Sequence, residues 1–345
     1  MDEFILFAED FYRRRHASGE ISFHTWRNAL SQIESFGHFL ERTCPGASLE
    51  DVDTDLLQDY RRYCLMSGNL PSTVGRKLHP LRMVLQEAVR KGRVSQEKLA
   101  SLESVYLPVK QRLYGGAAEG EADGGETAVK FLTDVQMERF LRFYKTLPEG
   151  VRRDRLDLFL FSFHACGLRV SDIVTLEWRH IDLKEKTLSK ILVKTRNRLV
   201  IPLSSPALEI LDRWKARGLN NRFVFNLLPE DFVFGDDGTL EKAIDSRNRS
   251  VRLTLNAVGR KLGIPFPLGM HVARHTFAVM ALNSARLDVH LISRLLGHSS
   301  VTVTEKGKIV IFRIRLAKSV VLRVEMQHFH RQTHLLKKNI LYLCD

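Results

Sequence analysis

The chain has 345 residues, 44% hydrophobic and 27% charged, with a formal net charge of +13 and an isoelectric point near 9.7. That length suggests two domains, each large enough for its own core. The composition is that of an ordinary globular protein, and the charge points to a polyanion, nucleic acid foremost. No apolar run reaches bilayer length, since even IVIFRIRL is interrupted by Arg313 and Arg315, so no membrane contact is expected. The start, MDEFILFAED, is acidic and lacks the basic region of a signal peptide. Cys44, Cys64, Cys166 and Cys344 form neither a CxxC pair nor a zinc spacing, and read as reduced thiols of a cytoplasmic protein.

In chain order, SFHTWRNALSQIESFGHFL places Trp26, Leu30, Ile33, Phe36 and Leu40 at helical spacing. DTDLLQDYRRYCLMSG predicts a second helix from Asp53 or Thr54 to near Gly68. LPSTVGRKLHPLRMVLQEAVRKG predicts a third, with Ser72 as N-cap. Its apolar face runs through Leu78, Leu81, Val84, Leu85 and Val89. Arg76, Lys77 and Arg82 lie off that face, a pattern that suits a DNA clamp or equally a solvated surface. GGAAEGEADGG, residues 115–125, carries five glycines, three acids and no base, which reads as a flexible linker.

Beyond it, Thr133 and Gln136 in FLTDVQMERFLRFY have capping-box spacing. LDLFLFSFHAC is an apolar helix candidate ending at Gly167, and LRVSDIVTLEWRHI reads as a turn and a second amphipathic helix. LSKILV and RLVIPL flank the polar TRN as a hairpin bearing Lys194, Arg196 and Arg198. SSPALEILDRW follows as a helix, with Ser205 as N-cap and Pro206 at its first position. PLGMHVARHTFAVMALNSA and LDVHLISRLLGH close the series as helices, and no internal repeat is present.

Four places collect side chains suited to a phosphodiester. They are Arg169 after the apolar helix, Lys194 at the hairpin turn, His271 with Arg274 on one helical face, and His298 after Gly297. Two guanidiniums can grip non-bridging oxygens bidentately as charge builds. A lysine can protonate a departing oxygen, and histidines move protons near neutral pH. His271 and His275 stand four apart, which suits zinc, but no Glu follows His271 and no third ligand is evident. A two-metal nuclease would need clustered carboxylates, and Asp172 with Glu177 has no second acidic pair near the other motifs. No cofactor is expected.

These motifs, in this order and rough spacing, resemble the tyrosine recombinases of the phage-integrase family. GLRVSDIVTLEW looks like the family's first-arginine box and VKTRNRLVIPL like its lysine turn. HVARHTFAVMAL looks like its H-x-x-R-H box, and LISRLLGHSSVTVTEK like its second-histidine loop. The resemblance covers about residues 1 to 306. It implies a mainly α chain with a small β-sheet. A helical, SAM-like core-binding domain (1–114) and a linker (115–127) precede a DNA breaking-rejoining catalytic domain (128–306) and an atypical basic tail (307–345). It implies that Arg169 and Arg274 hold the phosphate, Lys194 is the general acid, His271 assists proton transfer and His298 supports the transition state. His275 matches a supporting position. Arg76, Lys77, Arg82, Arg196 and Arg198 are the candidate DNA contacts. The implied partners are duplex DNA, a tetramer on two DNA sites, and accessory DNA-bending proteins in some members. The implied origin is a mobile element.

One departure stands out. The resemblance puts the nucleophilic tyrosine nine residues past His298, which is Gly307, and the only tyrosine after residue 144 is Tyr342. The register holds to Lys306 and fails at the next residue, and IVIFRIRL has strand-like alternation where the family has a helix. A frameshift, the loss of one codon, or a settled glycine in a protein that binds without cutting are the three routes to this pattern.

Overall fold

The structure is a computed structural model that describes residues 3–106, 130–235, 238–284 and 289–297. The glycine-rich segment at 115–125, His298, Gly307 and the basic tail lie outside the described residues. The chain divides into two compact units, one of residues 1–123 with 236–241 and one comprising the rest.

The first unit is all helical: α1 (Glu3–Ala17), α2 (Phe23–Thr43), α3 (Thr54–Met66), α4 (Pro71–Arg90) and α5 (Gln96–Tyr106). Helix α2 starts where the Ser22 side chain accepts the Thr25 N–H, and α3 where Asp53 accepts the Leu56 N–H. The core is aromatic at its centre. Phe36 meets Phe4 edge-on at 5.3 Å and Tyr60 at 4.9 Å, and the Tyr60 hydroxyl donates to Ser35 Oγ. Helix α4 corrects the expected cap at Ser72. Pro71 takes the first helical position with its φ preset and no N–H to satisfy, so Leu70 is the cap and no side chain is needed there. Helices α1 and α5 were not anticipated as elements.

The second unit begins with α6 (Asp134–Lys145), whose Thr133–Gln136 capping box is formed from both sides. Helix α7 (Val151–His164) buries every residue from Leu156 to Phe163, Asp157 and Ser162 included. Burying Asp157 is sustained by three donors: the Tyr144 hydroxyl, Arg213 at 3.0 Å and Trp214 Nε1 at 3.0 Å. A five-residue helix α8 (Val170–Val174) and a 3₁₀ turn (Trp178–His180) follow.

The helix expected after the turn in LRVSDIVTLEWRHI is therefore present but ends at Val174, earlier than expected. The Leu176 carbonyl accepts the Val224 N–H at 2.9 Å, and the Trp178 N–H donates to the Arg222 carbonyl at 3.0 Å. Pairing with a distant segment takes the backbone groups a longer helix would use. Strands β1 (Ile181–Asp182), β2 (Thr187–Ile191) and β3 (Arg198–Pro202) form one antiparallel sheet in sequence order, with Leu188 opposite Ile201. Helix α9 (Ser205–Arg217) is capped by Ser204 rather than Ser205, one residue earlier than expected. Helices α10 (Thr239–Lys261), α11 (Met270–Ser284) and α12 (Val289–Leu295) complete the unit, and α7 packs against α9 and α11.

Two histidines in this unit are held neutral. Desolvation pulls His164, at the end of α7, down to about 4. Desolvation does the same to His180, helped by the Lys190 charge, and His180 Nδ1 accepts the Glu177 N–H at 3.0 Å. An unfolded chain protonates both near the ordinary value of 6.5. The unfolded state therefore binds more protons between pH 6.5 and 4, and stability from these groups is present above 6.5 and falls as pH drops through that window. The urea midpoint is expected to be lower at pH 5 than at pH 7, and His164→Leu to shrink the difference. Equal midpoints at the two pH values would contradict the neutral assignment.

Candidate phosphate-binding site

The site is built around the end of α7. Cys166 (φ 53°) and Gly167 (φ 74°) are both left-handed, which reverses the chain sharply. The Gly167 N–H bonds the Ser162 carbonyl at 2.8 Å, and Ser162 Oγ donates to the Leu168 carbonyl at 2.7 Å. The reversal delivers Arg169 in extended conformation as the N-cap residue of α8.

Arg274, buried on α11, locks the turn in place. Its Nη1 donates to the Gly167 carbonyl at 2.8 Å and its Nη2 to the Leu296 carbonyl at 2.6 Å. One guanidinium thus joins the Arg169 turn to the end of α12, where Gly297 leads toward His298. Gly167 is required for that approach. A Cβ there would lie 3.0 Å from Arg274 Cγ and 3.2 Å from Arg274 Cα.

The hairpin is fastened to the same place. Asp172 on α8 is fully buried, and its Oδ1 accepts the Val193 N–H at 2.8 Å, one residue before Lys194. Lys190 faces inward from β2 and donates to the Thr175 carbonyl at 2.8 Å. Two ties therefore bind the arginine box to the lysine hairpin. Burial raises Asp172 and lowers Lys190, and each is drawn back by the charge of the other.

The electrostatics show what these ties bring together. His271 is lowered first by desolvation, then by the charges of Arg274, Lys194 and Arg169. Arg274 falls to about 9 through burial and then the Arg169 charge, and it remains a cation at neutral pH. Burial likewise lowers Arg169. Four of the five predicted site residues, Arg169, Lys194, His271 and Arg274, thus act on one another, and the fifth, His298, is outside the described residues. His275 lies 6.2 Å from His271, ring to ring, and is also lowered, mainly by desolvation. Arg169 Nη1 is buried and has no acceptor among the described residues, and Asp172 Oδ2 is buried and has no donor among them. A buried guanidinium nitrogen without an acceptor, next to a second guanidinium, is suited to an oxyanion. Among the described residues no three His, Cys, Asp or Glu side chains cluster as metal ligands would.

The candidate DNA contacts fall in two places. On α4, Arg76 is exposed and turns back to Ser72 and Thr73, while Lys77 is drawn against α2 by a bond to Ser35 Oγ at 3.2 Å; Arg82 is half-buried. At the hairpin, Arg196 sits exposed at φ 58°, and Arg198 is exposed on β3 with its guanidinium 3.3 Å from Ser189 Oγ. Sequence reasoning missed Lys190 and the exposed bases Lys242, Arg249, Arg252 and Arg260 of α10. Strand alternation could have found Lys190, because it puts residue 190 on the same face as Leu188.

The second unit gathers two arginines, a hairpin lysine and a histidine, a set of side chains suited to a phosphodiester. Residues 130–306 match the phage integrase family, and residues 3–104 match the phage integrase SAM-like domain. The chain belongs to the phage integrase family, the tyrosine recombinases. It is 25% identical to tyrosine recombinase XerD of Pseudomonas putida across 83% of this chain and 84% of that one. With tyrosine recombinase XerD of Xanthomonas axonopodis pv. citri it shares 28% across 89% and 92%.

The fold is similar to that of the Tn1549 transposon integrase in complex with transposon right end DNA. The TM-score is 0.64 at 16% identity, covering 92% of this chain and all of that one. It is also similar to lambda integrase in a tetramer bound to a Holliday junction, with TM-score 0.59 at 20% identity over 86% and 75%. No helix among the described residues is long and apolar enough to cross a membrane. The family match ends at residue 306, one short of Gly307.

Replacing Gly167 by Ala is expected to lower stability by roughly 2 kcal/mol, through positive φ and a clash with Arg274 together. Gly218→Ala, at φ 58° with open space around its Cβ, isolates the backbone part at about 1 kcal/mol. Urea unfolding of the two variants measures the difference. Equal losses would mean that Gly167 does not hold Arg274.

Proposed function

We propose that the second unit grips one phosphodiester of duplex DNA between Arg169 and Arg274. The observation that carries this reading is the buried, unanswered Nη1 of Arg169 beside the Arg274 fork. In the recombinase reaction a tyrosine oxygen bonds the phosphorus, and the P–O5′ bond breaks to leave a 3′-phosphotyrosyl link. Lys194 gives its proton to the leaving 5′ oxygen, a reading supported by its exposure at the turn and its influence on His271. His271 and His298 move protons and support the charge on the non-bridging oxygens. The reverse attack by a 5′ hydroxyl restores the tyrosine, so the bond energy is conserved.

Arg76, Lys77 and Arg82 of the first unit, and separately Arg196 and Arg198 of the hairpin, contact the backbone of the duplex. Exposed Lys242, Arg249 and Arg252 of α10 add to the positive surface. The domain limits follow the same reading: 1–114 binds, 115–127 links, 128–306 holds the phosphate, and 307–345 replaces the family's usual ending. Assembly as a tetramer on two sites, with accessory DNA-bending proteins where the element uses them, belongs to this function in its active form.

Gly307 gives the chain no nucleophile in register, so as it stands the pocket holds a phosphate without cutting. This favours two related readings. One is a mobile-element recombinase that has lost its tyrosine. The other is a DNA-binding protein of recombinase descent that occupies sites.

The test uses a duplex selected from a random-sequence pool by the full chain, nicked to trap covalent adducts. The chain is expected to bind with affinity falling on the order of a thousandfold between low and physiological salt, and to give no adduct. Gly307→Tyr, with a helical continuation after it, is expected to give a denaturant-stable adduct. Adding Arg274→Lys removes that adduct, because a point charge lacks the bidentate fork. An adduct from the unaltered chain, or salt-insensitive binding, would overturn the proposal.

A further inference from the structure

Arg169 and Asp172 set a problem inside the phosphate site. They stand three residues apart at the start of α8, where the Asp172 N–H bonds the Arg169 carbonyl at 3.0 Å. Arginine and carboxylate at that spacing are natural partners. Among the described residues, Arg169 Nη1 is a buried donor without an acceptor, and Asp172 Oδ2 a buried acceptor without a donor. The two atoms are complementary, and they do not meet.

The hairpin holds Asp172 the other way. Its Oδ1 accepts the Val193 N–H at 2.8 Å. Lys190, only 6% exposed, reaches from β2 to the C-cap of α8 and donates to the Thr175 carbonyl at 2.8 Å. Burial raises the Asp172 carboxyl, and it is drawn down by the Val193 bond, then by Lys190, and only then by Arg169 and Arg274. Burial lowers Lys190, and Asp172 is the charge that most restores it, ahead of Glu177. Glu177 is already answered by Arg222 Nε at 3.0 Å and by Arg179. An aliphatic side chain at 190 would fill the face of β2 that Leu188 occupies, without the desolvation a buried ammonium costs. The charge of Lys190 therefore calls for a role.

We propose that Lys190 is a positioning residue for the phosphate site: it holds Asp172 toward the hairpin, and so keeps Arg169 Nη1 from being taken by the protein's own carboxylate. Without that cation, Asp172 answers to the other cations that act on it, Arg169 first. A carboxylate bound to Arg169 occupies the nitrogen an oxyanion would use and offsets its charge. Lys190 does this without touching DNA. The consequence for DNA rests on the reading that Arg169 grips a phosphate, whereas the choice of partner by Asp172 does not.

Two measurements keep these apart. The first is nitrogen-15 NMR of the arginine side chains in the full chain without DNA, with the Arg169 signal assigned by its loss in Arg169→Lys. Lys190→Met is expected to shift the Arg169 Nε signal and slow rotation of its guanidinium as the ion pair forms. Lys190→Arg keeps a cation and is expected to leave the signal unchanged. Adding Asp172→Asn to Lys190→Met is expected to abolish the shift, because asparagine can still accept the Val193 N–H but brings no charge. Circular dichroism checks folding, and Lys190→Gln, polar and uncharged, carries the same expectation should the methionine variant unfold.

The second measurement is affinity for the selected duplex. Lys190→Met is expected to weaken binding about tenfold, and the double variant to recover it. An Arg169 signal that does not respond to loss of the Lys190 charge, or a response that survives Asp172→Asn, would overturn the proposal. The expected shift with no loss of DNA affinity would uphold the hold of Lys190 on Asp172 and overturn the phosphate reading instead.

Discussion

Everything at the phosphate site depends on what Arg274 does with its fork. A guanidinium buried without a carboxylate beside it is costly unless its N–H groups find acceptors. Here two carbonyls supply them, those of Gly167 and Leu296. Backbone carbonyls satisfy the hydrogen bonds without cancelling the charge. The arginine stays cationic and anchored, and its field adds to that of Arg169. A carboxylate in the same place would have held the side chain equally well and removed much of the attraction for an oxyanion.

The one buried carboxylate nearby, Asp172, acts on both guanidiniums through its charge but spends its Oδ1 on a backbone N–H instead of either fork. Asp172 accepts from the Val193 backbone, and Lys190 stands close enough to offset its charge. The pair stabilises the joint between the arginine box and the hairpin, so the residue carrying Lys194 is set by α8 rather than left to a free turn. The sheet is small, yet it is fixed from beneath by a lysine where a strand of this kind ordinarily buries an aliphatic side chain. Positive potential at the surface thus rests on a nearly balanced layer below it.

Much of this was legible from the chain. The capping box at Thr133, the stop at Gly167, the hairpin around TRN and the ordered Arg, Lys, His and Arg motifs all rest on local chemistry, and local chemistry is written in neighbouring residues. The failures were those of distance. Residues 175–181 leave the helical path because residues 222–224 claim their backbone, and nothing within that stretch announces the partner. Helix α10 was missed because its first half, TLEKAIDSRNRS, offers few apolar side chains to mark a period, and only Val251, Leu255 and Val258 set its inner face. Helix α4 began before the expected serine because a proline needed no cap. The two carbonyl acceptors of Arg274 carry no side-chain signature at all.

The bond from Arg274 to Gly167 spans 107 residues of chain, and the bond to Leu296 reaches 22 further on. Closing loops of that length comes late, after local helices and hairpins have formed. During synthesis, which proceeds from the N-terminus, Arg169 and Lys194 leave the ribosome long before the residues that complete the grip. The helical first unit, whose described helices all lie before residue 107, can fold while the rest is still being made. A growing chain therefore exposes the basic side chains of its first unit before it gains the bonds that tie Arg274 to Gly167 and Leu296. The arginine fork is completed only when nearly the whole second unit exists, a matter of timing that follows from where Gly167, Arg274 and Leu296 lie along the sequence.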